Sequence, residues 1–396
     1  MISLLETSPG LSLFPTENRM SPAAMKAIGA AAYGRYPGAE GPGFFYGDTI
    51  ALDRLYEHCA ELACAFFDAD TAFVNFLSGL HAAKSVLSAM ARAEDAVMIM
   101  DPSCGGHYAT QEICERLGLK PSFIPFDRQR CEIDIDALAQ DCQRTQASLV
   151  YFDVSTLLKL PRMDAIRQAV PRSVRVCLDA SQILGLVPAF PHRIGLETGI
   201  TSISGSTHKT FPGPQKGIFI SNDEDAVGAM GDRMPFEVSS AHANNVGALA
   251  ITFSELQPDR VRYGRDIVSN AKKLATALSE TGFRVSGSDF EFSETHQVWI
   301  EPPEGQDPIP WGHALCRAGI RSTVVVLPSS GQPGLRMGVQ ELTRLGMGGE
   351  QMQQIALLLE RCLLADTDPA QLRGEVYDIA REFEEVQYVA GGRDGD

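Results

Sequence analysis

Residues 201–217, TSISGSTHKTFPGPQKG, decide how this chain folds. Small hydroxyl and β-branched residues open the stretch and favour an extended strand. It then presents one lysine, Lys209, between His208 and Thr210, and breaks into FPGPQKG, where proline and glycine impose a turn. A lysine held between a strand end and a tight loop is a candidate Schiff-base former. An earlier strand, VRVCL (Val174–Leu178), ends in Asp179. A carboxylate at one strand's end and a lysine at the next suit pyridoxal 5'-phosphate, with Asp179 paired to the pyridinium nitrogen and Lys209 bonded to the aldehyde carbon. Alone, the same residues also fit a surface lysine after a buried strand, so the rest of the chain must decide.

A chain of 396 residues is long enough for a large domain and a smaller one. Its 44% hydrophobic and 21% charged content is that of a globular protein. The formal charge of −16, from 34 basic and 50 acidic residues, argues against nucleic acid or an anionic membrane as partner. The longest apolar runs, such as Ala96–Met100 and Val324–Leu327, are far too short to span a bilayer. MISLLETSPG lacks the basic and apolar regions of a secretion signal, so a cytoplasmic location is expected. The nine cysteines are scattered, with no CxxC and no ligand spacing. Neither a metal site nor a disulfide frame is expected, and reduced thiols fit a cytosol.

Outward from Lys209, predicted strands and helices alternate. LFPTENRMSP reads as an arm, and Ser21-Pro22 starts a helix with Ser as N-cap. The loop YGRYPGAEGPGFFYGD (Tyr33–Asp48) is too aromatic for a plain linker and suits either a functional loop or packing between subunits. Helical spacing covers Asp48–Phe67. The strand Ala72–Phe76 runs into Ser78-Gly79 and a helix, a geometry that serves phosphate binding or a simple cap. Ala96–Met100 and Leu149–Phe152 are apolar strands of the kind buried in a parallel sheet. Ser78, Cys104, Ser155, Asp179 and Lys209 all fall at or just past predicted strand ends, where ligands bind in such sheets. Gly217–Ser221 runs back towards the sheet, and after Gly282 short strands and helices read as a smaller α+β unit. The expected organisation is an arm and helix over 1–30, a large cofactor-binding domain over 31–281 and a small C-terminal domain over 282–396.

Seven pieces in this order are FPTEN (Phe14–Asn18), YP…FFYG, the SG at 78–79, GGH (Gly105–His107), LDASQILGLV (Leu178–Val187), STHKTFPGP (Ser206–Pro214) and GLRMG…LTR (Gly334–Arg344). From about Leu13 to Met347 the chain resembles the serine hydroxymethyltransferases and their threonine aldolase and transaldolase relatives. The resemblance implies a fold-type I pyridoxal-phosphate enzyme, aspartate-aminotransferase-like, with a mainly parallel seven-stranded sheet. It makes Lys209 the imine lysine and Asp179 the pyridinium partner. Ser78, Gly79, Ser206 and His208 fall to the phosphate, and Ser155 to the cofactor's phenolic oxygen. Arg336 would clamp the substrate carboxylate, a bidentate task suited to guanidinium, with Thr16 and His107 alongside. Tyr36, Tyr46 and Ser240 would serve a site shared across a homodimer.

Some positions depart from the family pattern. Cys104 stands where a histidine stacks on the ring, Gln182 where one lies beneath it, and Leu80 where a serine follows the SG. Gln215 replaces an arginine after the GP. The family's catalytic glutamate falls in register on Gly38, and only a local shift brings in Glu40 as acid/base. These departures bear on tetrahydrofolate more than on pyridoxal phosphate. The expectation is an enzyme that makes or breaks the Cα–Cβ bond of a small β-hydroxy-α-amino acid with an aldehyde as partner. Aldolase or transaldolase chemistry ranks before hydroxymethyl transfer to folate. The alternative is another fold-type I reaction: transamination, racemisation, decarboxylation or β-elimination.

Overall fold

The computed structural model describes residues 10–30, 34–36, 39–41, 44–46, 50–365 and 367–389. Its centre is a seven-stranded sheet: β1 (Thr71–Phe73), β2 (Ala96–Ile99), β3 (Lys120–Phe123), β4 (Leu149–Asp153), β5 (Arg175–Asp179), β6 (Ser202–Ser206) and β7 (Gly217–Ser221). The spatial order is β1-β7-β6-β5-β4-β2-β3. The strands from β6 across to β3 pair in parallel, whereas β7 pairs antiparallel with both β6 and β1. Residues 149–153, 202–206 and 217–221 are buried throughout, as expected of strands covered on both faces.

The strand predicted over Ala72–Phe76 is shorter than expected, Thr71–Phe73, because the chain turns before Ser78. Ser78 Oγ then accepts the His81 amide and starts the helix Gly79–Met90. β3 has no counterpart among the predicted strands. It is KPSF, with Pro121 unable to donate to a ladder, and it lies at the sheet's edge, where proline is tolerated.

The small sheet consists of β8 (Arg284–Val285), β9 (Gln297–Glu301), β10 (Thr323–Val326) and β11 (Pro333–Gly338), in the order β8-β9-β11-β10 and antiparallel throughout. The helices Arg260–Glu280 and Gly349–Leu363 pack together beside it. The arm at the start of the chain is more ordered than its sequence suggests. Leu11–Ser12 pairs in parallel with Ile320–Arg321, a contact between residues so distant that no local pattern announces it. Among the described residues no helix is long and apolar enough to cross a membrane.

Phe211, two residues after Lys209, is fully buried and anchors the lysine loop. Its ring lies 5.4 Å from Phe66 and 4.8 Å from Phe253. Thr207 Oγ1 donates to Pro214 O at 2.6 Å, and the Gly213 amide donates to Thr207 O at 2.8 Å, closing the loop on itself. Phe66→Ala should open a cavity under this loop and cost about 3–5 kcal/mol, read as a lowered midpoint in denaturant unfolding.

Candidate active site

At the C-terminal ends of β4, β5 and β6 the chain forms a cleft lined by Gly79, Leu80, His107, Thr110, Asp153, Ser155, Asp179, Ser181, Ser206 and Lys209, among others. Six of these residues, Gly79, His107, Ser155, Asp179, Ser206 and Lys209, are the ones the sequence singled out. The sheet brings them together because parallel strands end side by side: Asp179 is level with Asp153 on β4 and Ser204 on β6.

Close approach builds the cleft's wall. After Asp179 the chain crosses β6, with the Ala180 amide donating to Ser204 O at 2.7 Å and the Ser206 amide to Ser181 Oγ at 2.9 Å. A Cβ on Gly205 would come within 2.9 Å of Ser181 N. One on Gly79 would sit 2.0 Å from Ser206 Oγ and 2.9 Å from Ser206 N. Only glycine therefore lets the helix N-terminus stand directly against the β6 end, with the Ser181 and Ser206 hydroxyls beside it, and a helix N-terminus of this kind suits an anion. Ser78 caps that helix.

Lys209 is buried, and its ammonium is pushed down to about 8 by that burial, opposed by Asp179 and reinforced by Arg336. Asn18 of the arm donates to Lys209 O at 2.6 Å and to the Tyr263 hydroxyl at 3.0 Å, so the arm fixes the lysine's backbone. Asp179 accepts the Ser181 amide on Oδ1 at 2.8 Å and the Tyr151 hydroxyl on Oδ2 at 3.1 Å. Burial first, then Lys209, hold His208 down at about 4, and its Nδ1 is buried without a partner. Burial also lowers His107, whose Nδ1 accepts the Ala109 amide at 3.3 Å.

Arg336 projects from β11, opposite Trp299 and Thr323. It is only 8% exposed, and burial brings it down to about 10. Its Nη1 donates to Ser155 O at 3.0 Å and Thr156 Oγ1 at 3.1 Å; no carboxylate among the described residues pairs with it. Gln297 ties the same floor together, donating to Ser155 O at 3.0 Å and to Gln182 Oε1 at 3.4 Å.

Other expected residues are placed less directly. Cys104 is packed in the main hydrophobic cluster, 3.9 Å from Ser103 Oγ, and is not among the residues lining the cleft. The left-handed Gly105 (φ 96°) and the Gly106–Val154 bridge carry the chain over β4, so that His107 takes the cleft position. Gln182 is buried against Gln297. Thr16 is half-buried between Pro15, whose carbonyl meets His296 Nε2 at 3.1 Å, and Asn18. Ser240 does not line the cleft; its neighbour Ala241 accepts a hydrogen bond from the buried Lys216 at 2.9 Å. Tyr36 is exposed. Glu40 and Tyr46 lie on the hairpin Ala39–Gly41/Phe44–Tyr46, and their side chains fall outside the described residues.

Sequence reading missed Tyr151, Asp153, Gln297 and Asn18 as parts of the site. One signal was available for Tyr151: a tyrosine in the middle of a fully apolar central strand needs a buried partner for its hydroxyl.

The family model for serine hydroxymethyltransferase matches residues 6–359. The chain belongs to the serine hydroxymethyltransferase family. It is similar to the serine hydroxymethyltransferase of Methanopyrus kandleri, 33% identical over 96% of this chain and 91% of the relative. It is also similar to that of Thermococcus onnurineus, 30% identical over 96% and 92%. A crystal structure of L-threonine transaldolase from Pseudomonas fluorescens in its internal aldimine state superposes with a TM-score of 0.91, at 25% identity, over 96% of this chain and 90% of that one. This family member is thus a fold-type I pyridoxal-phosphate enzyme, a transferase or lyase acting on small amino acids.

The residues present fit that cofactor. A low-affinity-for-protons lysine, a carboxylate with free lone pairs, a cradle that a Cβ would fill and an orphaned His208 Nδ1 are what an aldehyde, a pyridine nitrogen and a phosphate require. Gly79→Ala should weaken cofactor binding roughly tenfold or more, measured by dialysis equilibrium with pyridoxal phosphate. Only the neutral amine forms an imine. Because Lys209 is held near 8, the rate of visible-band formation on adding cofactor to the cofactor-free protein should rise as pH passes through about 8; an exposed lysine would need pH above about 10.

Proposed function

We propose that this enzyme makes and breaks the Cα–Cβ bond of a small β-hydroxy-α-amino acid, releasing or accepting an aldehyde, by aldolase or transaldolase chemistry. The observation that carries the reading is Arg336: a buried guanidinium that pairs with no carboxylate among the described residues, bonded to the carbonyl of Ser155, which lines the cleft, and close enough to Lys209 to act on its charge. A buried unpaired cation is costly, and an amino acid's α-carboxylate would relieve that cost.

In this reading Lys209 holds the cofactor covalently, Asp179 its ring nitrogen, and Gly79, Ser206 and His208, with Ser78 starting the helix, its phosphate. When bound, pyridoxal phosphate supplies an electron sink for the pair of electrons left at Cα. Arg336 fixes the carboxylate and so orients the bond to be broken, while Ser155 and Gln182 form the floor with Gln297. The Lys209 amine, half-neutral near pH 8, can hand a proton to Cα or take one from it when free. His107, kept neutral by burial, can accept a proton from the β-hydroxyl.

The site belongs to a homodimer, to whose shared clefts the family resemblance assigns Tyr36, Tyr46 and Ser240. The exposed apolar side chains Leu77, Leu80, Tyr108 and Phe236 support it, since a surface of that kind is covered by another chain. The departures at Gly38 and Cys104 from the family pattern favour an aldehyde over tetrahydrofolate as acceptor. Purified protein with pyridoxal phosphate should convert threonine or serine to glycine without folate, and Lys209→Ala should abolish this. Arg336→Lys should raise KM for the amino acid by about a hundredfold with a smaller change in kcat, because the bidentate clamp is lost. Accumulation of pyridoxamine phosphate in place of glycine would sink the reading in favour of transamination; glycine formed only with folate would sink the aldehyde assignment.

A further inference from the structure

The ends of β4 and β5 carry a cluster that this chemistry has not yet used. In their register Tyr151 is level with Cys177 and Asp153 with Asp179, so alternation puts all four side chains on one face of the sheet. Tyr151 is fully buried, and its hydroxyl donates to Asp179 Oδ2 at 3.1 Å. The Ser181 amide serves Oδ1 at 2.8 Å. Each oxygen of Asp179 therefore has one donor from the chain and keeps a lone pair for a ligand. Asp153, 2% exposed, takes the amides of Met100 and His107 at 3.2 and 3.3 Å.

We propose that Tyr151 is a positioning residue for the cofactor's ring nitrogen: its hydroxyl anchors Asp179 Oδ2 and keeps the shared proton on the ring rather than on the carboxylate. The inference rests on the reading of the cleft as a pyridoxal-phosphate site. A hydrogen bond to a carboxylate stabilises its charged form and lowers its appetite for a proton. Without that donor the proton shifts towards Asp179, and the ring loses the positive charge that makes it electron-withdrawing.

A phenol is suited to the task. Burial, then the nearby carboxylates, push Tyr151 well above its usual range, so it donates without becoming a second anion. The other groups facing Asp179 are Asp153 on β4, His107 on the loop after Gly106 and Lys209 beyond β6. Burial raises Asp153 to about 8, so near pH 7 it adds little negative charge beside Asp179. Among the groups around the carboxylate, Tyr151 is the side chain whose hydroxyl touches it.

The test is Tyr151→Phe in the holoprotein, a change that keeps the ring's volume and removes only the hydroxyl. Circular dichroism should be unchanged. The pH midpoint of the visible band of Lys209-bound cofactor should rise by about one unit, and the Kd for pyridoxal phosphate should weaken roughly tenfold. The nitrogen-15 resonance of ring-labelled cofactor should move towards that of uncharged pyridine. A carbocyclic analogue without the ring nitrogen should bind both proteins equally. An unchanged midpoint in a folded variant overturns the proposal, as does equal weakening towards the carbocyclic analogue. A variant that fails to fold assigns the hydroxyl to stability and overturns it too. If the unaltered protein forms no visible band with pyridoxal phosphate, or Lys209→Ala retains one, the cleft reading itself falls and this inference with it.

Discussion

Two buried cations, Lys209 and Arg336, lie close enough to act on one another, and Arg336 pairs with no carboxylate among the described residues. Taking a charge out of water is costly, and the protein meets that cost only in part: burial loosens the proton on both groups. Asp179 is near enough to Lys209 to offset some of it, while Arg336 is left with carbonyl and hydroxyl partners. The imbalance is a statement about the ligands. Anionic groups on a ligand would offset that imbalance.

That electrostatic arrangement depends on close packing. The segment after Asp179 lies directly across β6, and the helix at Gly79 abuts the strand's last residue. The end of the strand, Ser204-Gly205-Ser206, is made of small residues because two layers of backbone share that space. The same compactness explains why the polar groups there are satisfied by one another: Ser181 bonds Ser206 and Asp179, and Gln297 bonds Gln182, Ser155 and, through its oxygen, Trp299. A buried, hydrogen-bonded floor gives the charges above it a low dielectric in which to act.

Much of this was legible in the sequence, and for physical reasons. Alternating apolar strands and helices imply a parallel sheet, and a parallel sheet collects strand-end residues at one edge; Lys209, Asp179, Ser155 and Gly79 follow from that rule alone. What was not legible depended on contacts between distant segments. β3 was hidden by its proline, and the Leu11–Ser12 pairing by a separation of most of the chain. The left-handed turn at Gly105, after Cys104, is likewise not encoded by residue spacing. Tyr151 and Gln297 looked like core and strand positions; their polar tips acquire meaning only once the neighbouring strand is in register.

The arm's attachment bears on how the molecule comes into being. Leu11–Ser12 can find its partner only after Ile320–Arg321 has left the ribosome, and Asn18 grips the lysine's carbonyl from that same arm. A nascent chain can thus assemble its central sheet before the Leu11–Ser12 strand has a partner. Closing so long a loop carries an entropic cost that grows slowly with length, so this pairing is a late step in folding relative to the sheet.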